Sequence, residues 1–343
     1  MRYNRLQELT EGGWATTATQ NTQIKPATIK DTLQILRELM VMFNTWLLHN
    51  YPDVGEVKVT TPTGSGYYHA TDHPDKEYGD IDVQMVAANP WKMGHASYTA
   101  NWNSLWDVWA KQERPAQLDH DLAKPGHPFL IVPDHGIVQV DLMWQEPEKQ
   151  MWGLVRSVPP PGIKGLIHGN MFSVLAQIMG MSMQYGGVQV KTQNGQPVSF
   201  SKQKDVTLTT ITHNPDRMFW DLLEFVSGKP VSQLKMNNLI QNTPGIQLPR
   251  SDVADMIQGI KGLAKAFEDN NLFGTKYLTK YQNAHEFLSA FWQVYSQKAQ
   301  DELNNPKRLK AQTPAAKARA ARDIDSIKKG LAHVKEIWDR THV

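Results

Sequence analysis

The chain has 343 residues, which suggests roughly two domains, and 40% of them are hydrophobic, enough to form a buried core. It has no cysteine, which excludes disulfides, thiolate zinc sites and cysteine nucleophiles, so any metal must bind to oxygen or imidazole. No stretch approaches the ~18 apolar residues of a membrane span and the N-terminus lacks the apolar segment of a secretory signal, so we expect a cytoplasmic protein with no membrane partner.

The net charge of +2 is unevenly distributed along the chain. Residues 304–343 contain 10 Lys/Arg and 4 Asp/Glu, a local net charge of +6, which leaves −4 for the rest. A basic C-terminal region of this kind favours contact with a polyanion such as RNA. A solvated helix face is the alternative.

The first elements are an arm, a helix and a strand. Residues 1–27 are polar and predict an N-terminal arm. An apolar stripe at helical spacing then predicts a helix at about 29–50, which ends before Pro52. The alternation of Val57 and Val59 predicts a strand that leads into a turn at Pro62–Gly66.

Two further β segments and a helix complete the first part of the chain. The sequence GDIDVQMVA predicts a strand, and the tryptophans of residues 98–111 lie at the spacing of a helix whose apolar side is core rather than a base-stacking surface. The turn at Pro133–Gly136 separates two apolar runs and predicts a hairpin, with Asp141 in its second strand.

The break at Pro159–Gly162 predicts a domain boundary. Residues 28–160 then form an α+β domain, and residues 161–343 form a mostly helical domain that ends in a basic helix. Asn194-Gly195 predicts a hairpin turn inside a small β insertion, and the segment VTLTTIT is expected to pair nearby.

Asp80 and Asp82 are the first candidates for chemistry. Residues i and i+2 of a strand project from one sheet face, so both carboxylates lie opposite Ile81, Val83 and Met85. Two like charges in this position repel each other unless a cation lies between them. Magnesium prefers such hard oxygen ligands. The alternative is an acidic edge strand that faces water.

Asp141 and the Gly64-Ser65 turn extend this pattern. Aspartate is depleted in strands, yet Asp141 interrupts an apolar run, and a strand adjacent to Asp80 and Asp82 would bring the three carboxylates together. Gly64 and Ser65 directly follow a strand, where free backbone N–H groups and a hydroxyl bind phosphate. Alone, a Gly-Ser-Gly sequence is also an ordinary loop.

The order of these motifs resembles the nucleotidyltransferase superfamily, and the chain as a whole resembles a bacteriophage-encoded member. The resemblance covers roughly residues 30–145. It implies a mixed sheet with flanking helices, in which Gly64 and Ser65 bind the β and γ phosphates of an NTP. It also implies that Asp80, Asp82 and Asp141 bind two Mg²⁺ (or Mn²⁺) ions, and that Asp141 lies near the nucleophile.

The chain departs from that family in one respect. Many members have an arginine soon after the Gly-Ser turn, whereas residues 64–82 contain none. The resemblance implies basic side chains from the following helical part at the triphosphate. Lys164 is our candidate for this role, and a surface loop lysine is the alternative. His69, Asp72 and His73 could also suggest zinc, but no fourth ligand is evident.

These observations together predict transfer of NMP from an NTP to an acceptor hydroxyl, with release of pyrophosphate. The acceptor is an RNA 3′ end, a protein side chain or a small molecule, and the basic C-terminal region favours RNA. A non-catalytic nucleic-acid-binding module and a metal-dependent nuclease are the alternatives. The three carboxylates argue against the module, and the Gly-Ser turn argues against the nuclease.

Overall fold

The computed structural model contains two compact units, which divide after residue 153. The predicted boundary at Pro159–Gly162 and nearly all of the predicted N-terminal arm lie outside the described residues. The structure describes residues 26–63, 81–88, 95–122, 126–147, 156–157, 166–184, 187–200, 204–246, 250–304 and 314–341.

The first unit is built on a four-stranded sheet with the order β1-β2-β4-β3. The central strands β2 and β4 are parallel, and both outer strands pair antiparallel with their neighbours. The sheet is therefore mixed, as predicted. Its described elements are α1 (Pro26–Asn50), β1 (Lys58–Thr63), β2 (Ile81–Val86), α2 (His95–Glu113), β3 (Phe129–Val132) and β4 (Gly136–Gln145).

Helix α1 packs its predicted apolar stripe into the core of this unit. The helix begins at Pro26, slightly before the predicted start, because proline suits the first turn. The ring of Phe43 lies 5.3 Å from the rings of both Trp106 and Trp109 on α2. Trp102 and Trp109 are fully buried. The prediction that these tryptophans belong to the core is confirmed.

The hairpin of β3 and β4 has its turn where the sequence predicted it. Asp134 and Gly136 have positive φ values of 63° and 83°, a conformation that Gly and Asp tolerate better than most residues. Between them, His135 is hydrogen-bonded to Thr28 Oγ1 and Asp31 Oδ2, each at 3.0 Å. The turn is thereby tied to the first turns of α1.

The second unit combines a small sheet with helices, and the predicted α+β class is confirmed. In the sheet, β7 pairs antiparallel with β6, β8 and β9. The elements are β5 (Arg156–Ser157), α3 (Leu166–Ile178), β6 (Ser182–Gln184), β7 (Gly187–Gln193), β8 (Gln196–Pro197), β9 (Thr207–Thr212), α4 (Met218–Ser227), α5 (Asn238–Asn242), β10 (Arg250–Ser251), α6 (Val253–Asp269), α7 (Ala284–Leu303) and α8 (Pro314–Arg340).

The turn between β7 and β8 follows from two residues. Asn194 and Gly195 have φ values of 51° and 76°. Positive φ at both central positions is the type I′ arrangement that matches the twist of a hairpin. The predicted pairing of VTLTTIT is present as the β7–β9 ladder.

Lys261 of α6 anchors the end of α8. Its side chain is 6% exposed. The ammonium group donates to the carbonyl oxygens of Trp338, at 2.6 Å, and of Thr341, and it lies 4.6 Å from the Trp338 ring. These carbonyls end a helix, where the macrodipole favours a cation. None of the helices in the described part of the chain is long and apolar enough to cross a membrane.

We expect Lys261→Met to lower the free energy of unfolding by about 1–3 kcal/mol, because two helix-end carbonyls lose their charged donor. Lys265→Met is the matched control one turn later. Its ion pairs with Glu268 and Asp269 are partly exposed, so its loss should be below about 1 kcal/mol. Chemical denaturation, with hydrogen exchange at the last turn of α8, measures both, and equal losses would contradict this anchoring role.

A pH dependence accompanies the anchor. Burial lowers the pKa of Lys261, although Asp339 opposes the shift. The folded protein then binds fewer protons than the unfolded chain between the lowered pKa and the ordinary lysine value of about 10.4. Stability should therefore rise with pH across that window, and Lys261→Met should remove this rise.

Candidate active site

The candidate site lies on the two central strands of the first unit. Strands β2 and β4 are parallel, and Asp82 is the register partner of Asp141. Neighbouring strands lie about 4.8 Å apart, and register partners project from the same sheet face. Asp141 was expected on a strand adjacent to that of Asp82. This strand pairing is present.

The apolar neighbours of each aspartate determine the face on which it lies. Ile81 and Val83 of β2, and Val140 and Leu142 of β4, belong to the buried core under the helices. Because side chains alternate along a strand, both aspartates project from the opposite face. The predicted alternation of β2 is confirmed for its described residues.

Two side chains bind the carboxylate of Asp141. Gln139 Nε2 lies 2.9 Å from Asp141 Oδ1, and His127 Nδ1 lies 2.8 Å from the same oxygen. The Asp141 side chain is 16% exposed and that of His127 is 42% exposed, so the carboxylate is set into the surface with the imidazole at its outer edge. An ionised carboxylate can only accept, so both nitrogens donate.

The register of the β3–β4 hairpin places His127 opposite Asp141. Phe129 pairs with Gln139. The ladder continues beyond β3, with Val140 N donating to Pro128 O and Leu142 N donating to Gly126 O, each at 2.9 Å. Gln139 precedes Asp141 by two residues and therefore shares its face.

Buried amide side chains also lie on this face. Gln84, Gln139 and Gln145 are each 1% exposed. The Oε1 atoms of Gln139 and Gln145 are buried and have no hydrogen-bond partner among the described residues. Buried polar atoms normally have partners, and of these two glutamines only Gln139 donates to Asp141.

Strand β1 ends beside the aspartates. Its last residue, Thr63, is the register partner of Asp82. Gly64 and Ser65 follow Thr63 in the sequence, and Asp80 immediately precedes Ile81. In the sequence, these motifs thus adjoin the residues at which the β1–β2 pairing ends.

The remaining predicted site residues lie outside the part of the chain that the structure describes. Gly64, Ser65, Asp80 and Lys164 are among them, and their roles stay predictions. The proposed zinc ligands His69, Asp72 and His73 also lie there.

Asp82 and Asp141 supply the donor chemistry of a divalent-cation site. Carboxylate oxygens are the hard ligands that Mg²⁺ prefers, and Mg²⁺ commonly binds one or two carboxylates together with substrate phosphates. Among the described residues, no group of three or more His, Asp or Glu side chains is placed to hold a metal. The pair supplies two of the carboxylate ligands that such a cation uses, and Asp80 is the predicted third ligand.

His127 and Gln139 were not predicted from the sequence as site residues. A signal for both was available. Gln139 shares the strand parity of Asp141, and a hairpin centred on the predicted turn pairs residue 127 with residue 141. Extending that register from the turn would have identified His127.

No protein-family model matches the sequence, and the comparison with curated proteins finds no match. The chain is similar to polymerase beta of Leishmania infantum in a ternary P/T complex, with 11% identity over 50% of this chain and 58% of that chain and a TM-score of 0.28. The match to this first structure thus spans less than two thirds of the polymerase chain.

Two further solved structures are similar at the same low level. The polymerase in its ternary gap complex gives 9% identity over 80% of this chain and 68% of that chain, with a TM-score of 0.29. The CD-NTase CdnG of Bradyrhizobium diazoefficiens in complex with GTP gives 9% identity over 93% and 96% of the two chains, with a TM-score of 0.23. Because every TM-score is below 0.5, the functional assignment rests on the residues of this chain.

Metal binding can be tested without any assumption about the substrate. We expect millimolar Mg²⁺ or Mn²⁺ to raise the Tm of the protein and EDTA to reverse the rise, because a ligand that binds the folded state stabilises it. Asp82→Asn and Asp141→Asn should abolish the response. Asp134→Asn is the matched control, an exposed aspartate in the hairpin turn of the same sheet, and it should keep the response. A metal response that survives in Asp141→Asn would contradict this site.

Proposed function

We propose that this protein is a metal-dependent nucleotidyltransferase, which transfers NMP from an NTP to an acceptor hydroxyl and releases pyrophosphate. The observation that carries the proposal is the in-register pairing of Asp82 and Asp141 on adjacent parallel strands. Like charges directly opposite each other destabilise a sheet. Such a pair is retained where the carboxylates have a function. Binding of hard cations together with phosphates is such a function.

The position of β1 favours a triphosphate as the second ligand. Thr63 pairs with Asp82, and the Gly64-Ser65 sequence follows it. Backbone N–H groups and a serine hydroxyl at this point would bind phosphate oxygens. We assign Lys164 as a further triphosphate ligand from the helical part. Lys164 would then take the place of the arginine that is missing after the turn.

The reaction forms one bond and breaks one. The acceptor oxygen attacks the α-phosphorus, the bond from that phosphorus to the bridging oxygen of the β-phosphate breaks, and pyrophosphate leaves with the electron pair. Asp141 would accept the proton of the attacking hydroxyl. Two Mg²⁺ or Mn²⁺ ions held by Asp80, Asp82 and Asp141 would supply stabilisation of charge on the attacking and leaving oxygens.

We favour an RNA 3′ end as the acceptor because of the basic C-terminal region. In α8, Lys329, Lys335 and Arg340 form ion pairs with acidic residues four positions away, which is typical of a solvated helix face. Lys317, Arg322 and Lys328 lie on the same helix, are exposed and form no ion pair within the described residues. Among the described side chains of α8, these three are available to bind phosphates. A bacteriophage origin stays a prediction.

The deciding experiment incubates the protein with each α-labelled NTP, Mg²⁺ or Mn²⁺, and total RNA or protein extract. We expect label to move onto one class of macromolecule, which identifies the acceptor. Asp82→Asn and Asp141→Asn should each reduce transfer by at least about 100-fold, with NTP binding retained in Asp141→Asn. Asp134→Asn should transfer like the wild type.

Two results would overturn the proposal. Full transfer by Asp141→Asn would remove its central residue. Absence of transfer with any NTP, metal and acceptor, together with binding of RNA, would favour the non-catalytic module instead.

A further inference from the structure

Asp141 is held through only one of its two carboxylate oxygens. Gln139 Nε2 and His127 Nδ1 both donate to Oδ1, at 2.9 and 2.8 Å. Within the described part of the chain, Oδ2 accepts no hydrogen bond. Charge-assisted hydrogen bonds of this length fix the orientation of a carboxylate. Two donors on one oxygen therefore determine where the other oxygen lies.

The amide of Gln139 is oriented so that its N–H group, and not its carbonyl oxygen, faces Asp141. Only its N–H group can donate to an ionised carboxylate, so Nε2 faces Asp141. Its Oε1 is buried and has no partner among the described residues, in a side chain that is 1% exposed. An unpaired buried acceptor destabilises the folded state. This arrangement serves the orientation of Asp141 rather than the stability of the sheet.

We propose that Gln139 and His127 are positioning residues that hold Asp141 by Oδ1 and present Oδ2 to the divalent cation or the acceptor hydroxyl. The inference rests on the proposed function and deepens it. Neither side chain needs to touch the substrate. Gln139 acts from the interior of the sheet and His127 from its outer edge, so together they prevent rotation of the carboxylate about its terminal torsion.

Gln139→Met tests the buried half of this arrangement, and Gln145→Met is its control. Both glutamines lie on β4, are 1% exposed and contain an unpaired buried Oε1, but only Gln139 binds Asp141. We expect Gln139→Met to weaken Mn²⁺ binding, measured by electron paramagnetic resonance, or to lower kcat. Either quantity should change by about 10- to 100-fold. Its Tm should be unchanged or higher, because the unpaired acceptor is gone. Gln145→Met should match the wild type in Mn²⁺ binding and kcat.

His127 is tested by a pair of variants. Asn carries an amide N–H near the position of Nδ1, so His127→Asn should retain most activity, whereas His127→Phe should lose about 10-fold or more. Tighter Mn²⁺ binding in either variant would overturn the role of His127, because it would mean that the imidazole occupies the place of the cation. Equal losses in both variants would also overturn it.

A double variant separates positioning from a structural effect. If Gln139 acts through the carboxylate of Asp141, Gln139→Met should cause no further loss of the residual kcat in an Asp141→Asn background. Additive losses would overturn the inference, as would equal effects of Gln139→Met and Gln145→Met.

The two proposals fail in different ways. A wild type that binds Mn²⁺ through Asp141 but transfers no NMP would overturn the proposed reaction, and the effect of Gln139→Met on Mn²⁺ affinity would still decide the positioning role. Transfer that depends on Asp141 but not on Gln139 or His127 would overturn only the positioning role. A wild type that neither binds Mn²⁺ nor transfers NMP would overturn both.

Discussion

The parallel register between β2 and β4 is the constraint on which the candidate site depends. Six consecutive pairs, from Ile81 with Val140 to Val86 with Gln145, fix it. A slip by one residue would move Asp82 into the core face, which burial of Ile81 and Val83 forbids. A slip by two residues would keep the face but would place Asp82 opposite Gln139 or Met143. Burial of the apolar residues therefore determines the sheet face on which Asp82 lies. Other contacts determine which residue of β4 pairs with Asp82.

Contacts of the core tryptophans reach from the helices to the edge of the site. Trp144 of β4 stacks on Trp102 of α2 with ring centroids 5.3 Å apart, and its Nε1 donates to Asn103 Oδ1 at 2.6 Å. Asn103 in turn lies against Gly126, where an added Cβ would be 2.6 Å from Asn103 Nδ2. Gly126 has a φ of +77° and directly precedes His127. The position of the imidazole is thus linked to the packing of α2 on the sheet, because only glycine suits both the conformation and the close approach.

The predictable part of this site is local, and the unpredictable part is the long-range pairing. Alternation along β2 predicts the face of Asp82, and the turn at Pro133–Gly136 predicts the hairpin that contains Asp141, because both depend on neighbouring residues. The same turn fixes the register that places His127 opposite Asp141. In contrast, parallel strands have no connecting turn to set their register, and β2 and β4 are separated by an entire helix and hairpin strand. Only the folded chain shows that Asp82 meets Asp141.

Two of the features of the site face that oppose folding are centred on Asp141. The first is the opposed charge of Asp82, and the second is the unpaired carbonyl of Gln139, a buried acceptor whose loss of hydration costs about 1–3 kcal/mol. A methionine at position 139 and an asparagine at position 82 would relieve each without disturbing the apolar core on the other face. Sequences that retain such local conflicts do so where function requires them. In the proposed function, a cation between the carboxylates would offset their repulsion and would use the oxygen orientation that Gln139 provides. Stability and the proposed catalysis would then make opposite demands on the same three side chains.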